Sequence, residues 1–385
     1  MIRFTTAGES HGEGLLVILE GIPAGLTINF EDIDVELARR QKGYGRGQRM
    51  RIETDVVKIF SGMRHTVSLG SPIAMYIANK DYKNWTQIMS PTSSDLGGKP
   101  LLRPRPGHAD LAGLMKYGVS DFRDILERAS ARETAARVAA GAVCKALLKE
   151  FEISIVSYTL QIGDIVADMS LIKEDEIWHS AEMSYVRCPD AQASEKMIQL
   201  IKTANEKGDT LGGKTVVVAK NVPAGLGSHT QWDLKLDGRL AQNLVSIQAV
   251  KAVEFGAGTE LASLFGSASH DEIFYNETKG FYRNTNRSGG IEGGMSNGEP
   301  IVVTCTMKAI PSLANPLHSV NLATKKTAEA EVVRSDVCAV SAVGIVAEAA
   351  VAIELAKALK EKFGGDSLED MKKNVNTYKE RIKAL

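Results

Sequence analysis

Hydrophobic residues follow two different periods along the chain, and together they predict a mixture of strands and helices. Short runs rich in β-branched residues predict strands at Leu15–Glu20, Val56–Phe60, Ile73–Ile77, Ile153–Leu160, Lys214–Ala219 and Ile301–Met307. Longer alanine-rich runs with apolar residues at helical spacing predict helices at Phe30–Arg40, Ala131–Glu150, Ser194–Glu206, Lys235–Glu254 and Val337–Lys362. Their irregular alternation indicates the α+β class.

The ends and faces of the predicted helices add detail. Small residues line several faces of the run 131–150, which suits burial between other layers. Ser130 and Glu133 have capping-box spacing and predict a helix start there, while Gly256 and Gly364 predict helix stops.

The four cysteines form no Cys-x-x-Cys pair, and we interpret Cys144 and Cys338, which lie in helix-like apolar runs, as small core residues.

Three short patterns recur in the same order in both halves of the chain. They are Pro23–Leu26 with Pro223–Leu226, Asp34–Ala38 with Asp237–Ala241, and Gly70–Ile73 with Gly298–Ile301. Coincidence among common turn sequences is the alternative explanation. If the repeat is real, residues 1–385 form one pseudo-symmetric domain with an internal pseudo-duplication, rather than two independent domains.

Composition narrows the class of function. The chain has 385 residues, with 46 Lys plus Arg and 47 Asp plus Glu, so its net charge is −1. A nearly neutral chain is a poor candidate for general binding to nucleic acid or to a membrane surface. No uncharged apolar stretch reaches about 18 residues, which argues against a transmembrane helix. Unpaired cysteines and the lack of an N-terminal signal favour the cytoplasm.

Two basic segments predict a local anion-binding site. Residues 39–51 hold six cations on a glycine-punctuated backbone, which suits the bidentate binding of carboxylate or phosphate; a solvated loop or an RNA-binding segment is the alternative. In Arg103–Asp110, two prolines hold Arg105 and His108 in place, as phosphate binding and proton transfer would require. An exposed turn whose histidine only caps the next helix is the alternative there.

Four further segments carry candidate chemistry. His11, flanked by Gly and Ser, could approach a ligand closely; a structural histidine is the alternative, and the presence of His108 favours the ligand-binding interpretation. Glu127–Glu133 offers a helix start and two arginines to an anion, unless these arginines only form surface ion pairs. Asp336 could be a base or a helix N-cap, and Gly289–Gly298 could wrap a flat cofactor or be a hairpin turn. Metal ligands that could cooperate, a Walker A loop and a nucleophile elbow are not evident.

Together these segments resemble the signatures of the chorismate synthase family. The matching motifs, in the family's order, are Ala7–Gly12, Arg39–Gly47, Arg105–Asp110, Ser130–Thr134, Gly289–Gly298 and Arg334–Asp336. The resemblance covers nearly the whole chain. It implies a lyase that converts 5-enolpyruvylshikimate 3-phosphate to chorismate and phosphate by 1,4-anti elimination, assisted by reduced FMN. The alternatives are another flavin- or nucleotide-dependent lyase of a phosphorylated acid and, in a different class, an RNA-binding protein.

The resemblance also implies a β-α-β sandwich with long central helices between antiparallel sheets, and a homotetramer. No reductase domain is recognisable, so an external flavin reductant is expected. Intrinsic reduction with NADPH stays open, because Arg40 or Arg46 could contact the phosphate of a pyridine nucleotide.

The resemblance assigns roles residue by residue. His11 would protonate the departing phosphate, His108 would hold the proton balance near the anionic flavin, and Asp336 would relay the ring proton through flavin N5. The implied substrate-binding residues are Ser10, Arg40, Arg46, Arg49, Arg105 and Arg132. The implied flavin-binding residues are Arg128, Ala129, Ser130, Gln248, Ala249, Gly293, Met295, Lys308, Ala309, Ile310, Pro311, Ser312 and Arg334.

Three departures from the family pattern fall in the flavin-binding segments. Gln248 stands where the family usually has Asn, and Ala252 replaces a usual Gly. The segment Lys308–Ser312 lacks the usual first Pro and ends in Ser instead of Thr. These departures bear on flavin contacts rather than on the reaction.

Overall fold

A computed structural model describes residues 1–47, 52–93, 97–278 and 280–385, which form a mixed helix and sheet fold. The strands are β1 (Arg3–Ala7), β2 (Gly14–Glu20), β3 (Val57–Ser61), β4 (Met63–Arg64), β5 (Val67–Ser68), β6 (Ile73–Ala78), β7 (Ser154–Ile162), β8 (Ile165–Val166), β9 (Gly213–Lys220), β10 (Val250–Phe255), β11 (Ile273–Asn276), β12 (Gly280–Arg283), β13 (Ile291–Glu292), β14 (Met295–Ser296), β15 (Ile301–Met307), β16 (His318–Val320) and β17 (Thr327–Glu329).

The α-helices are α1 (Phe30–Gln41), α2 (Asp110–Tyr117), α3 (Arg123–Ala129), α4 (Thr134–Lys149), α5 (Ile177–Met183), α6 (Ala191–Glu206), α7 (Leu236–Val245), α8 (Gly266–Ser269), α9 (Val340–Phe363) and α10 (Leu368–Lys383). Short 3₁₀ helices cover Lys80–Asn84, Ala131–Glu133, Met169–Leu171, Trp232–Leu234 and Gly258–Ser263.

Two antiparallel sheets hold most of the longer strands. The first has the order β1-β2-β6-β3 and the second the order β10-β15-β9-β7-β8. Along β2, Leu15, Val17 and Leu19 are buried, whereas Leu16 and Ile18 remain 45% and 47% exposed. This period of two means that one face of the first sheet packs inward while its other face carries apolar side chains into solvent.

The two longest buried helices connect the sheets. Helix α4 contacts β2 and β6 of the first sheet, α9 contacts β7 and β9 of the second, and the two helices pack against each other. A Cβ atom on Gly141 of α4 would lie 2.3 Å from the Cβ of Ala349 on α9, so glycine permits this close approach. The small residues of the run 131–150 thus serve helix–helix packing.

Most predicted elements are confirmed, but the predicted helix Lys235–Glu254 is wrong in its second half. Helix α7 ends at Val245, and Val250–Phe255 forms a strand that pairs with β15. Ala249 adopts a left-handed conformation with φ of 68°, which interrupts the helix. Gly256 follows this strand, so its prediction as a helix stop is also wrong, whereas Gly364 caps α9 as predicted.

The core interpretation of the cysteines is confirmed. All four are free thiols with buried side chains. Burial raises the pKa of Cys144 to about 12 and that of Cys338 to about 11, so both thiols remain protonated at neutral pH.

The two longer sheets share a strand order, and one of the recurring sequence patterns makes the same contact in both halves. The strand order β1-β2-β6-β3 is matched by β7-β9-β15-β10 in the second sheet. In each half a hairpin serine donates a hydrogen bond to the proline carbonyl of the repeated turn. Ser68 Oγ donates to Pro23 O at 2.6 Å, and Ser296 Oγ donates to Pro223 O at 2.7 Å. The two turns therefore have equivalent anchors.

Candidate functional site

His11 lies in the loop between β1 and β2 and is held by residues distant in sequence. Its Nδ1 lies 2.9 and 3.0 Å from the two carboxylate oxygens of Glu127 on α3, and its backbone N–H donates to the same carboxylate at 2.8 Å. The ring stacks on Trp85, with centroids 4.0 Å apart and planes 28° apart. The guanidinium of Arg123 lies over the Trp85 ring, 5.4 Å from the ring centroid.

The His11 loop is tied to α3 and to an arginine beyond it. Ser10 is buried, and its N–H donates to Glu127 O at 3.0 Å. Asn79 Nδ2 donates to Gly12 O at 2.7 Å, and Asn79 Oδ1 accepts from Arg132 Nε at 2.8 Å. Asn79 therefore connects the loop of the candidate acid to a candidate anion-binding group.

Arg132 and Arg40 share one buried carboxylate. Arg132 Nη1 donates to both oxygens of Asp55 at 2.6 and 2.7 Å, and Arg40 Nη1 lies 3.5 Å from Asp55 Oδ2. Burial lowers the pKa of Arg40 to about 10, with further lowering from the charges of Arg132 and Arg46 against the opposing charge of Asp55. An added anion would counteract both effects, so the cluster suits anion binding.

Asp336 extends this cluster. Its carboxylate oxygens pair with Arg46 Nε at 2.9 Å and accept from Gly47 N at 2.6 Å, while Arg46 Nη1 donates to Arg40 O at 3.0 Å. The alternative role of Asp336 as a helix N-cap is wrong, because α9 begins only at Val340 and has no side-chain cap. Asp336 thus joins the arginine cluster and, through it, the His11 loop.

His108 belongs to a second, locally built cluster. Its Nδ1 hydrogen-bonds Asp110 Oδ1 and lies 3.0 Å from Arg105 Nη2. Arg105 Nε donates to Asp110 Oδ2 at 2.9 Å and its Nη1 donates to Ser312 Oγ at 2.6 Å. Burial alone would raise the pKa of Asp110, but hydrogen bonds from His108 and Arg105 lower it to about 2. His108 does not cap α2, whose N-cap residue is Ala109.

The segment after α3 faces the His11 loop. Arg128 Nη1 donates to Gly8 O at 3.2 Å and Nη2 to Thr6 Oγ1 at 2.7 Å, so it does more than form a surface ion pair. Ala129 ends α3, and Ser130 Oγ accepts from Arg132 N at 3.3 Å. The predicted helix start at Ser130 is therefore a capped 3₁₀ turn that leads into α4.

Gln248, Ala249 and Lys308 link the two clusters. Gln248 Nε2 lies 3.4 Å from Glu133 Oε2, and its buried Oε1 has no hydrogen-bond partner among the residues described. Lys308 N donates to Ala249 O at 2.9 Å, and Lys308 Nζ donates to Gly107 O. Burial lowers the pKa of Lys308, and the charge of nearby Lys251 lowers it further. This turn therefore reaches the His108 segment.

The remaining predicted residues have the following positions. Arg334 Nη2 donates to Asp81 Oδ2 at 3.1 Å, beside the 3₁₀ helix that precedes Trp85. Ile310 O accepts from Thr210 Oγ1 at 2.7 Å. Ala309 lies just before it, and Pro311 follows and lines a small cavity beside Arg105. Arg49 lies outside the described residues.

Gly293 and Met295 belong to the β13–β14 hairpin, which matches the hairpin alternative for this segment. A Cβ atom on Gly293, with its φ of 59°, would have Met295 Cε as its nearest neighbour at 4.0 Å. The hairpin is anchored to α7, since Leu236 N donates to Gly294 O at 2.9 Å. Within the described ranges, no hydrogen bond joins it directly to either histidine cluster.

Sequence reasoning missed several partners of the predicted residues. Glu127 and Asp110 stand inside the quoted motifs, but their roles as histidine partners were not assigned. Asp55, Asn79 and Trp85 carry no local sequence signal. Asn79 and Asp55 meet Arg132 across 53 and 77 residues of chain, and Trp85 stacks on the similarly distant His11. Only tertiary packing reveals them.

Two searches of the described residues bear on other classes of site. In that part of the chain, no group of three or more His, Cys, Asp or Glu side chains is arranged to hold a metal ion. None of the helices formed by these residues combines the length and the hydropathy needed to cross a membrane.

Comparisons with known proteins point in one direction. Residues 2–359 match the family model described as chorismate synthase. The chain is 86% identical to a chorismate synthase of Endomicrobium trichonymphae over the full length of both, and 52% identical to one of Moorella thermoacetica, again over the full length of both. A crystal structure of chorismate synthase superposes with a TM-score of 0.81 at 43% identity, covering 100% of this chain and 99% of the other.

Proposed function

The chain belongs to the chorismate synthase family, the lyases that form chorismate and phosphate from 5-enolpyruvylshikimate 3-phosphate in the shikimate pathway, and we propose how its own residues carry out this elimination. The proposal rests on one observation. A buried cluster of Arg40, Arg132 and Asp55 is joined by hydrogen bonds to the His11 loop and to Arg46, which forms an ion pair with Asp336.

The arginines bind the substrate anions. The substrate carries two carboxylates and a phosphate, and guanidinium groups hold such oxygens through paired hydrogen bonds. Arg40, Arg46 and Arg132 are almost fully buried, so their contacts act in a site that excludes water. Ser10, Arg49 and Arg105 complete the proposed substrate-binding set.

Two side chains transfer protons: one protonates the leaving group, and the other accepts the proton that the substrate ring loses. His11 protonates the departing phosphate, which makes the phosphate a better leaving group. Asp336 receives the ring proton, and its contacts with Arg46 and Gly47 hold its carboxylate in one orientation. His108 maintains the proton balance beside the cofactor, held by Asp110 and Arg105.

Reduced FMN fits the segment that links the clusters. The buried Oε1 of Gln248 is an unsatisfied acceptor in the described part of the chain, as a ring N–H group would require. The open space at Gly293 and the cation at Lys308 suit a flat anionic ligand. Bound there, reduced FMN would supply electron density for cleavage of the C–O bond. Arg128, Ala129, Ser130, Ala249, Met295, Ala309, Ile310, Pro311, Ser312 and Arg334 complete the proposed flavin-binding set.

The finer description of the fold is part of the proposal. We infer a β-α-β sandwich in a single domain spanning 1–385, supported by a hydrophobic cluster with members in both sheets and in α4 and α9. The matched strand orders and serine–proline anchors support an internal pseudo-duplication.

The proposal also covers the oligomeric state of the chain, the source of the reduced flavin and the cellular compartment. The outward face of the first sheet exposes Leu16, Ile18 and, at 59%, Phe60, and apolar patches of this kind mark protein interfaces. This surface supports self-association, and we propose the homotetramer that the family resemblance implies. An external reductant supplies the reduced flavin in the cytoplasm, and any NADPH-dependent reduction by the chain itself would add to that supply.

An anaerobic assay with chemically reduced FMN tests the function. Chorismate absorbance and phosphate release are followed together, with oxidised FMN as the control. We expect equal amounts of both products, formed only with the reduced cofactor. Phosphate release without chorismate, or turnover without flavin, would contradict the proposal.

A further inference from the structure

The contacts of His11 leave its two ring nitrogens in different situations. Nδ1 is committed to the Glu127 carboxylate, whereas Nε2 has no hydrogen-bond partner among the residues that the structure describes. The side chain of His11 is 13% exposed and that of Glu127 is 2% exposed. A carboxylate that accepts from Nδ1–H fixes the tautomer of the ring and leaves Nε2 for another partner.

Trp85 restricts the same ring in a second direction. Its indole lies nearly parallel to the imidazole, with centroids 4.0 Å apart, so rotation of the histidine about its side chain would break the stack. Arg123 covers the indole and also lies 3.7 Å from Glu127 Oε1. The carboxylate and the aromatic residue are thus held in one unit.

We propose that Glu127 and Trp85 are positioning residues that present Nε2 of His11 to the substrate, with Glu127 stabilising the protonated ring. The inference rests on the proposed role of His11 as the acid. Neither residue needs to touch the substrate, because both act through the imidazole.

Among the charged groups around His11, Glu127 has the strongest interaction with the imidazole ring. In the described part of the chain, nearby charged groups include Arg123 on α3, Glu9 in the same loop and Arg128, which donates to the carbonyl of Gly8. Unlike these groups, Glu127 is hydrogen-bonded to the ring. Since its carboxylate is almost fully buried, solvent screens it little, and its removal must favour the neutral imidazole.

Trp85 offers a direct readout that does not depend on activity. The chain has three tryptophans. Replacing Trp178→Phe and Trp232→Phe leaves Trp85 as the sole indole. A protonated imidazole in contact with indole quenches its fluorescence, so a pH titration of the emission reports the protonation of His11. The His11→Ala variant should abolish the transition.

In this background, Glu127→Gln keeps an amide oxygen that can accept from Nδ1 but removes the charge. We expect the pH of half-quenching to fall, because the variant loses the opposite charge that is hydrogen-bonded to the ring. Glu361→Gln, which removes a carboxylate paired with Arg239 elsewhere on the molecule, is the matched control and should leave it unchanged. An unchanged midpoint in Glu127→Gln would overturn the inference.

Kinetics separate the inference from the proposed function. Glu127→Gln should lower kcat about 10-fold or more, as part of the contribution of a general acid, with KM and FMN affinity within about 2-fold of the parent. Trp85→Phe keeps an aromatic ring and should lower kcat less than Trp85→Leu does. If Glu127→Gln fails to fold, Glu127→Asp replaces it, because its shorter side chain withdraws the carboxylate from Nδ1. The kcat of Glu127→Asp should fall relative to the parent, and parental values of both kcat and the midpoint would overturn the inference.

The two failures look different. Wild-type turnover in His11→Ala, together with a shifted midpoint in Glu127→Gln, would reject the acid role and leave the positioning contacts standing. A normal midpoint in Glu127→Gln, with severe loss of activity in His11→Ala, would reject the positioning role alone.

Discussion

The two histidine clusters are built in opposite ways. His108 takes its carboxylate from Asp110, two residues ahead, and its arginine from three residues behind. His11 takes its carboxylate from Glu127, 116 residues away, and its aromatic contact from Trp85. The first arrangement can form within one short segment, whereas the second requires α3 and the 3₁₀ helix before Trp85 to pack against the loop. The difference predicts which substitutions disturb chemistry and which disturb folding.

The largest expected effect is the loss of His11. His11→Ala removes the proposed acid and should lower turnover by about 10²–10⁴-fold while FMN still binds. Single-turnover formation of chorismate and a flavin titration measure the two quantities. His108→Ala sharpens the comparison, since we expect it to weaken FMN binding as well as turnover. Equal flavin affinities in both variants would remove this distinction.

Stability should respond at the His108 cluster. Asp110 is fully buried and Arg105 is 5% exposed, so Asp110→Ala leaves a buried guanidinium without its carboxylate. Breaking such a pair costs about 3–5 kcal/mol, measurable as a lower free energy of unfolding in urea. Asp121→Ala on the loop before α3 is the control, because it removes a less buried carboxylate. A cost below about 1 kcal/mol would mean that the local cluster contributes little.

Acid should weaken the same cluster. The folded-state pKa of Asp110 is lowered to about 2, below the unfolded value of about 3.9, so its stabilisation is present above about pH 4 and is lost as the pH falls towards 2. The loss amounts to about 2 kcal/mol. Because ion pairs and hydrogen bonds also lower the pKa values of Glu348 and Asp271, the measurement compares the parent with Asp110→Asn. Identical acid unfolding curves would contradict the assignment.

The smallest expected effect is at Ser312. Ser312→Ala removes the hydroxyl that accepts from Arg105 Nη1, and the free energy of unfolding should fall by about 1 kcal/mol. Ser263→Ala, which removes an exposed hydroxyl bonded to its own turn, should change it little. The fluorescence titration of His11 should be unaffected. Coupling between Ser312 and that titration would show that the two clusters are not independent.

The same contrast explains what the sequence could predict. Strand β15 has the bounds predicted from its β-branched run, because alternation and pairing agree there. The run 235–254 misled the helix prediction, since its apolar spacing continues past a backbone that turns at Ala249. Intrinsic helix preference was overridden by the pairing of Val250–Phe255 with β15.

The site was predictable to the extent that its contacts are local. Arg105 and His108 stand in one motif with Asp110, and their proximity follows from the chain itself. The carboxylate of Arg132 is Asp55, 77 residues earlier, and no period or motif marks it. An arginine or histidine with a distant partner therefore appears in the sequence only as a cation, and its partner emerges only from the packed structure.

The absence of a side chain at Gly141 has a consequence for sequence variation far from the site. Any larger residue there would push α4 away from Ala349 on α9, and α4 starts at Thr134, whose hydroxyl accepts from Arg40. A displacement of the helix would shift its first turn and, with it, the shared carboxylate contacts of Arg132. Random mutagenesis selected for lost aromatic prototrophy should therefore recover replacements at Gly141 alongside those at the charged residues.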